Sequence, residues 1–355
     1  SNWSRTYQVS GLLADFKAVP GKLTELYTRD TTSADKVRAL LRLEDTLTKA
    51  SEQKTNQETA YKILFISDMH LRDMYAYVGN VARQQGVKLI INTGDESEYG
   101  STFEMTQRYL QSIRHLTAKV PMIWIAGNHD SPQTVRIMRS IPKVIVLGDK
   151  TERADGSYQV TGQEVQAFGL RIAGLADPRV FGAKGVAGAS DTTKTNPLEV
   201  ASVQEAGKTF APDQTIDIGM GHEPVAADEL EMVLRARLMA SGHTHEQNDP
   251  GDLQDSDYIN LNEGSTGLGG LDHYDTSPME FSVMAVAPDC QFTQITRYQL
   301  SDPARPSDSR KAQIRTVTFT PQKVDDGRTC TTDKGISDVA DWNGAAGKIL
   351  TQAAG

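Results

Sequence analysis

The sequence predicts an α/β protein: a largely parallel sheet built from βαβ units, a second sheet packed on it, and a helical N-terminal extension. Three observations predict it. Short continuous apolar runs alternate with helix-like stretches between residues 61 and 147, as buried parallel strands joined by crossover helices do. Strand-like runs then follow one another through residues 163–319, with two helical stretches among them. Ahead of both, residues 1–58 lack buried-strand runs, and an apolar stripe there repeats at helical spacing. The expected organisation is an extension over 1–58, a catalytic-sized domain over 59–320 and a polar tail over 321–355.

Each element has its own signal. Thr32-x-x-Asp35 can cap a helix whose one face carries Val37, Leu40, Leu41, Leu43 and Leu47. Residues 51–59 are polar and read as a connector. Lys62-Ile63-Leu64-Phe65-Ile66 is the first buried strand, and a helix follows over 74–85. Val87-Lys88-Leu89-Ile90-Ile91 is the second strand. A helix over 103–116 is predicted from the stripe Phe103, Leu110, Ile113 and Leu116. Strands over 120–126 and 144–147 complete the first set. Residues 163–176 read as a hairpin, and 181–197, rich in Gly, Ala, Ser and Thr, as a loop. Strands are expected at 215–220, 234–240, 257–262, 280–286, 291–299 and 312–319, with helices at 198–209 and 225–231. The tail 321–355 has few large apolar residues and is expected to be irregular.

Composition narrows the function. Of 355 residues, 38% are hydrophobic and 23% charged, as in ordinary globular proteins. A net charge of −9 argues against a nucleic-acid partner, because the summed field repels a phosphate backbone. Two cysteines exclude thiolate zinc clusters and iron–sulfur centres. The seven histidines are therefore the groups to place.

Five histidines fall in short signatures, each at the end of a predicted strand: Ser67-Asp68-Met69-His70, Gly127-Asn128-His129-Asp130, Gly221-His222 and Gly242-His243-Thr244-His245. Gly94-Asp95 follows the second strand in the same way. In open α/β sheets ligands gather beyond the carboxyl ends of strands. On an extended segment, Asp68 and His70 would point the same way, as would His243 and His245. Asp68, His70, Asp95, Asn128, His222, His243 and His245 are too many donors for one tetrahedral ion and suit two ions sharing a carboxylate. Two divalent ions outweigh the two aspartates and one bridging hydroxide, which leaves a positive pocket in an acidic protein, suited to a phosphate ester.

This ordered set resembles the calcineurin-like metallophosphoesterase superfamily over residues 59–300, about two-thirds of the chain. The resemblance implies a four-layer α/β/β/α sandwich and a dinuclear centre of manganese, zinc or iron that hydrolyses phosphomonoesters or phosphodiesters by in-line attack of a metal-bound hydroxide. Asp68, His70 and His245 would hold one ion, Asn128, His222 and His243 the other, and Asp95 would bridge. His129 would protonate the leaving group or stabilise the transition state, with Asp130 hydrogen-bonded to its ring. Asn262-Glu263-Gly264-Ser265 is similar to a structural turn of the family. The aspartate in the third signature and Glu98, where purple acid phosphatases place a tyrosine ligand, point toward the phosphodiesterase, nuclease and small-phosphoesterase branches. A nuclease, or a non-enzymatic scaffold on the same fold, is the alternative.

The remaining chemistry is less specific. Arg179, in Asp177-Pro178-Arg179, could reach a substrate phosphate, although a surface arginine is the commoner outcome. His273 could line the cleft or sit on its loop, and His115 is expected in solvent. Cys290 and Cys330 are either two thiols or one disulfide, and the polar setting of Cys330 leans toward the bond. No apolar run is long enough to span a membrane. The start at Ser1 without methionine reads as a processed end or a scar, leaving room for an upstream signal or anchor. An extracytoplasmic or membrane-anchored location is the expectation, with a cytoplasmic one as the alternative.

Overall fold

Alternation within the strands decides the layering, because successive side chains of a strand point to opposite faces. The computed structural model describes residues 7–8, 58–208, 210, 215–270, 277–300, 313–338 and 349–351. Its strands are β1 (Tyr7–Gln8), β2 (Tyr61–Ile66), β3 (Val87–Asn92), β4 (Met122–Trp124), β5 (Val144–Val146), β6 (Lys150–Glu152), β7 (Tyr158–Val160), β8 (Gly162–Ala167), β9 (Leu170–Leu175), β10 (Ile218–Met220), β11 (Leu238–Ser241), β12 (Ile259–Asn262), β13 (Met279–Val286), β14 (Phe292–Leu300), β15 (Gln313–Thr318), β16 (Ile336–Asp338) and β17 (Ile349–Thr351). The α-helices are α1 (Tyr75–Gln85), α2 (Gln107–Thr117), α3 (Pro132–Ser140), α4 (Thr192–Gly207) and α5 (Pro224–Leu234).

The first sheet runs β1-β15-β14-β13-β2-β3-β4-β5 and the second β12-β11-β10-β9-β8-β16-β17. Strands β2 to β5 are parallel, as are β9 to β12, while β13 joins β2 antiparallel and β8 joins β9 antiparallel. Ile63, Phe65, Leu89, Ile91, Ile123 and Ile125 of the first sheet share one core with Ile172, Ile218, Met220 and Leu238 of the second. Their alternates Leu64, Ile66, Ile90, Met122 and Trp124 pack with Val78, Val81 and Ile113 of α1 and α2. On the far side, Ala173 and Met239 face the core that contains Val203 of α4 and Leu230 of α5. Both sheets are therefore covered on both faces, which is the α/β/β/α sandwich.

Four local expectations differ from the structure. Helix α2 starts at Gln107, not 103, because Glu104 accepts the backbone N–H groups of Tyr99 and Ser101 and holds that stretch as a loop. Phe103 is left 93% exposed. Helix α4 begins within the expected loop, at Thr192, where the Asp191 side chain accepts the Thr193 N–H. A separate hairpin, β6–β7, has no counterpart in the sequence reading. Part of the tail is not irregular: β16 pairs with β8, and Ile336 is fully buried between the sheets. Edge pairing needs backbone groups rather than large side chains, so composition missed it. The helical reading of 1–58 lies outside the described residues, apart from Tyr7–Gln8, which pair as a strand with β15. No helix among the described residues is long and apolar enough to cross a membrane.

Candidate metal centre

The parallel strands of the two sheets deliver their carboxyl ends to one edge of the sandwich. Asp68 and His70 follow β2, Asp95 follows β3, and Asn128, His129 and Asp130 lie between β4 and α3. His222 follows β10, and His243 and His245 follow β11. The loops meet so closely that two glycines are required. A Cβ on Gly127 would fall 2.1 Å from Asp95 Oδ1, and one on Gly242 would fall 2.1 Å from Ser67 Oγ.

The seven donors form two groups around one carboxylate. In the first, Asp68 Oδ1 lies 3.5 Å from His70 Nε2 and 3.3 Å from His245 Nε2, and the two ring nitrogens are 3.1 Å apart. In the second, His222 Nε2 lies 3.0 Å from Asp95 Oδ2 and 2.9 Å from Asn128 Oδ1, which is 3.1 Å from His243 Nδ1. Asp95 Oδ2 is also 3.5 Å from His70 Nε2, so it stands between the groups. The other Asp95 oxygen, Oδ1, accepts the His129 backbone N–H at 2.8 Å. Asp68 Oδ1 is buried and accepts no hydrogen bond, although Oδ2 accepts from Ser67 Oγ and the His243 N–H. A buried carboxylate oxygen left this way, facing ring nitrogens that converge on it, fits a cation.

The backbone differs from expectation at these positions. Asp68, His70, Asp95, His243 and His245 all have positive φ, between 47° and 75°. The segments are not extended; the left-handed conformation turns each side chain inward, at a cost of about 1–2 kcal/mol per residue. Backbone bonds hold them there: the N–H groups of Asp68 and His70 donate to Gly94 O and Asp95 O. The turn after β12 braces the first loop, with Ser265 Oγ donating to Asp68 O at 2.7 Å.

Electrostatics favour positive charge. Burial alone would lower the His222 pKa, but Asp95 and Asp68 outweigh it and raise it to about 10. His70 behaves alike, raised to about 9 by Asp68 and Asp95 against its burial. Burial would raise the Asp95 carboxyl, yet His222, His129 and His70 hold it well below the usual range. His243 goes the other way, lowered by burial and by His222.

His129 lies beside this cluster, and its Nδ1 is 2.5 Å from the Glu98 carbonyl oxygen. A donated Nδ1–H leaves Nε2 as the nitrogen that can give or take a proton. Asp130 does not contact the ring as expected. Its carboxylate is fully buried and accepts the backbone N–H groups of Asp95, Ser97 and Gly127, tying the two loops together. Arg179 is neither on the surface nor aimed at open cleft: it is 5% exposed, with Nε 2.7 Å from Glu199 and Nη2 bonded to Glu223. Glu223 in turn lies 3.9 Å from His243. His273 lies outside the described residues, and His115 is exposed on α2. Cys290 and Cys330 are bonded, with Cα atoms 5.1 Å apart.

Several residues here were not singled out as site residues in the sequence. Glu98 places Oε1 3.5 Å from His70 Nδ1. Lys150 is buried and donates to the carbonyls of Gly127, Asp130 and Arg179 at 2.8, 2.6 and 2.7 Å. Phe181 stacks on the His129 ring. Only Glu98 had a signal, its place three residues after Asp95. A cavity of about 970 Å³ between α1 and α2 holds none of the converging donors.

The family model described as calcineurin-like phosphoesterase matches residues 61–247. No curated protein matches the sequence. Among solved structures, a Vps29 single mutant from Entamoeba histolytica is similar at 13% identity, covering 73% of this chain and 99% of that one, with a TM-score of 0.36. TT1561 of Thermus thermophilus is 12% identical, covering 64% and 95%, with a TM-score of 0.39. Purple acid phosphatase PPD1 from yellow lupin (Lupinus luteus) seeds is 11% identical, covering 74% and 54%, with a TM-score of 0.41.

Proposed function

The chain belongs to the calcineurin-like phosphoesterase family, and from that premise we propose that it hydrolyses phosphoester bonds with two divalent cations, Asp68, His70 and His245 holding one, Asn128, His222 and His243 the other, and Asp95 shared. The observation that carries the reading is the position of Asp95 Oδ2, 3.0 Å from His222 Nε2 and 3.5 Å from His70 Nε2, between two groups of converging donors. Manganese, zinc and iron all suit imidazole and carboxylate donors. When bound, such a pair supplies Lewis acidity toward phosphoryl oxygens and a nucleophile at neutral pH.

The chain's own residues do the rest. Asp68 and Asp95 set the charge of the site and leave it positive once two divalent ions are present. The oxygen of water forms the new bond to phosphorus and its proton passes to solvent, while the bond to the leaving alcohol breaks with its electron pair on the alcohol oxygen. His129 Nε2 gives that oxygen its proton, in an orientation fixed by the Glu98 carbonyl. No covalent phosphoenzyme is needed, because no protein nucleophile takes part.

Mutagenesis with metal analysis tests this. Asp95→Asn and His222→Ala should lose bound metal and activity together. His129→Ala should retain metal while turnover of phosphoesters falls by about 10²–10⁴-fold. A metal-loaded His129→Ala protein with full activity would remove that residue from its role. Metal-loaded wild-type protein inert toward phosphomonoesters, phosphodiesters, cyclic nucleotides and phospholipids would overturn the reading as a whole.

A further inference from the structure

Two exposed aromatic side chains meet next to the proposed proton donor. Phe181, in the loop after β9, stacks on the His129 ring with centroids 4.5 Å apart and planes 18° apart. Tyr99, in the loop after β3, lies 5.9 Å from Phe181 at 47°. They form a ladder that runs outward from His129 through Phe181 to Tyr99. Phe181 is 43% exposed and Tyr99 is 62% exposed, which puts both among the few large hydrophobic side chains so open to solvent among the described residues.

The ladder is held in place by backbone. The Phe181 N–H donates to Asn128 O at 2.7 Å, and the Tyr99 N–H donates to Glu104 Oε1 at 2.8 Å. Rings left half in water contribute little to folding by burial, whereas an apolar partner would cover them favourably. The place of the ladder identifies that partner. It begins at the group that protonates the leaving oxygen, so the body of the departing alcohol lies along it. Two rings offer the area of one small ring system, far below that of a protein interface.

We propose that Tyr99 and Phe181 form a leaving-group subsite, and that the preferred substrates are phosphoesters whose leaving alcohol carries an aromatic or apolar body. This rests on the phosphoesterase reading above and names its substrate class. Glycerol-like or other strongly hydrated leaving groups gain nothing from the rings.

The test compares benzyl phosphate with ethyl phosphate, and benzyl methyl with ethyl methyl phosphate, using manganese- and zinc-loaded protein. The two leaving alcohols have similar acidity, so the ratio of kcat/KM for alcohol release reports binding of the ring. Wild type should favour the benzyl esters by about tenfold or more, the scale of one or two aromatic contacts. Tyr99→Ala should cut that ratio by about threefold, and Tyr99→Ala/Phe181→Ala should bring it near one. Removing Phe181 can also loosen His129 and slow both esters, which is why the ratio is read and why Tyr99→Ala, away from the His129 ring, is included. Equal turnover of benzyl and ethyl esters by wild type, or an unchanged ratio in the double variant, overturns the subsite and leaves the phosphoesterase reading standing. No turnover of any of the four esters overturns this inference, and the phosphoesterase reading falls with it only if cyclic nucleotides and phospholipids are left intact as well.

Discussion

Lys150 shows what individual residues contribute to the site without touching it. Its ammonium is buried and spends its donors on three carbonyls, two of them in the loop that carries Asn128 and His129. Lys150→Met would take this donor from the buried carbonyls of Asp130 and Arg179, while Gly127 O would keep the Asp130 N–H. The expected loss is about 2–4 kcal/mol of stability, on the scale of two buried carbonyls losing a donor, read as a lower urea midpoint; an unchanged midpoint would mean that other groups satisfy the loop. Nothing in the sequence around Lys150 marks it, because its partners are backbone atoms about twenty or more residues away along the chain. The ligand candidates were legible for the opposite reason. Asp68-x-His70 and His243-x-His245 are local pairs, and each ends a strand that its own apolar run announces. Their left-handed backbone was not legible, since it is imposed by bonds from neighbouring loops.

At the scale of elements, most strands of both sheets were readable as short apolar runs, and their ends fell within a few residues of expectation. The tail was not. Strand β16 is three residues long and carries one large apolar side chain, Ile336, so its pairing with β8 depends on the sheet already being there. The Cys290–Cys330 bond ties the same tail to the turn between β13 and β14, and the Thr331 N–H donates to Phe168 O. A cross-link over 40 residues limits the unfolded chain by about 4 kcal/mol on the loop-entropy account. Cys290→Ala/Cys330→Ala should therefore unfold at lower urea by about 2–4 kcal/mol. Natively isolated wild type should take up alkylating reagent at these cysteines only after reduction, and labelling without reductant would count against the bond.

The whole molecule is acidic, and it buries carboxylates outside the candidate donor groups as well. Glu280 and Glu263 share one buried arginine, Arg297, behind the turn after β12. Burial is the main cause that raises Glu280, with Glu263 adding to it against Gln299 and Arg297, to a pKa of about 7 from an ordinary 4.5. The folded state therefore holds this proton more tightly than the unfolded chain. Its contribution to stability is full below pH 4.5 and is lost as the pH rises through about 7, by at most about 3 kcal/mol. Glu280→Gln, which stays neutral, should be more stable than wild type at pH 8, and that advantage should shrink at pH 5. The same difference in urea unfolding at both pH values would show that Glu280 does not titrate in this window. Glu280, Arg297 and Lys150 have no sequence signature because charge alone does not reveal burial. By itself, the sequence determined most strands of the two sheets and which donors stand at their ends, since short apolar runs and short-range spacing are local properties of the chain. Only the tertiary structure decided that the two donor groups lie around Asp95, that Asp130 binds loops rather than a ring, that Arg179 is enclosed by carboxylates, and that two aromatic rings flank His129. Those arrangements arise where two sheets bring separate loops together, and the distances between such loops are set by packing across the whole sandwich.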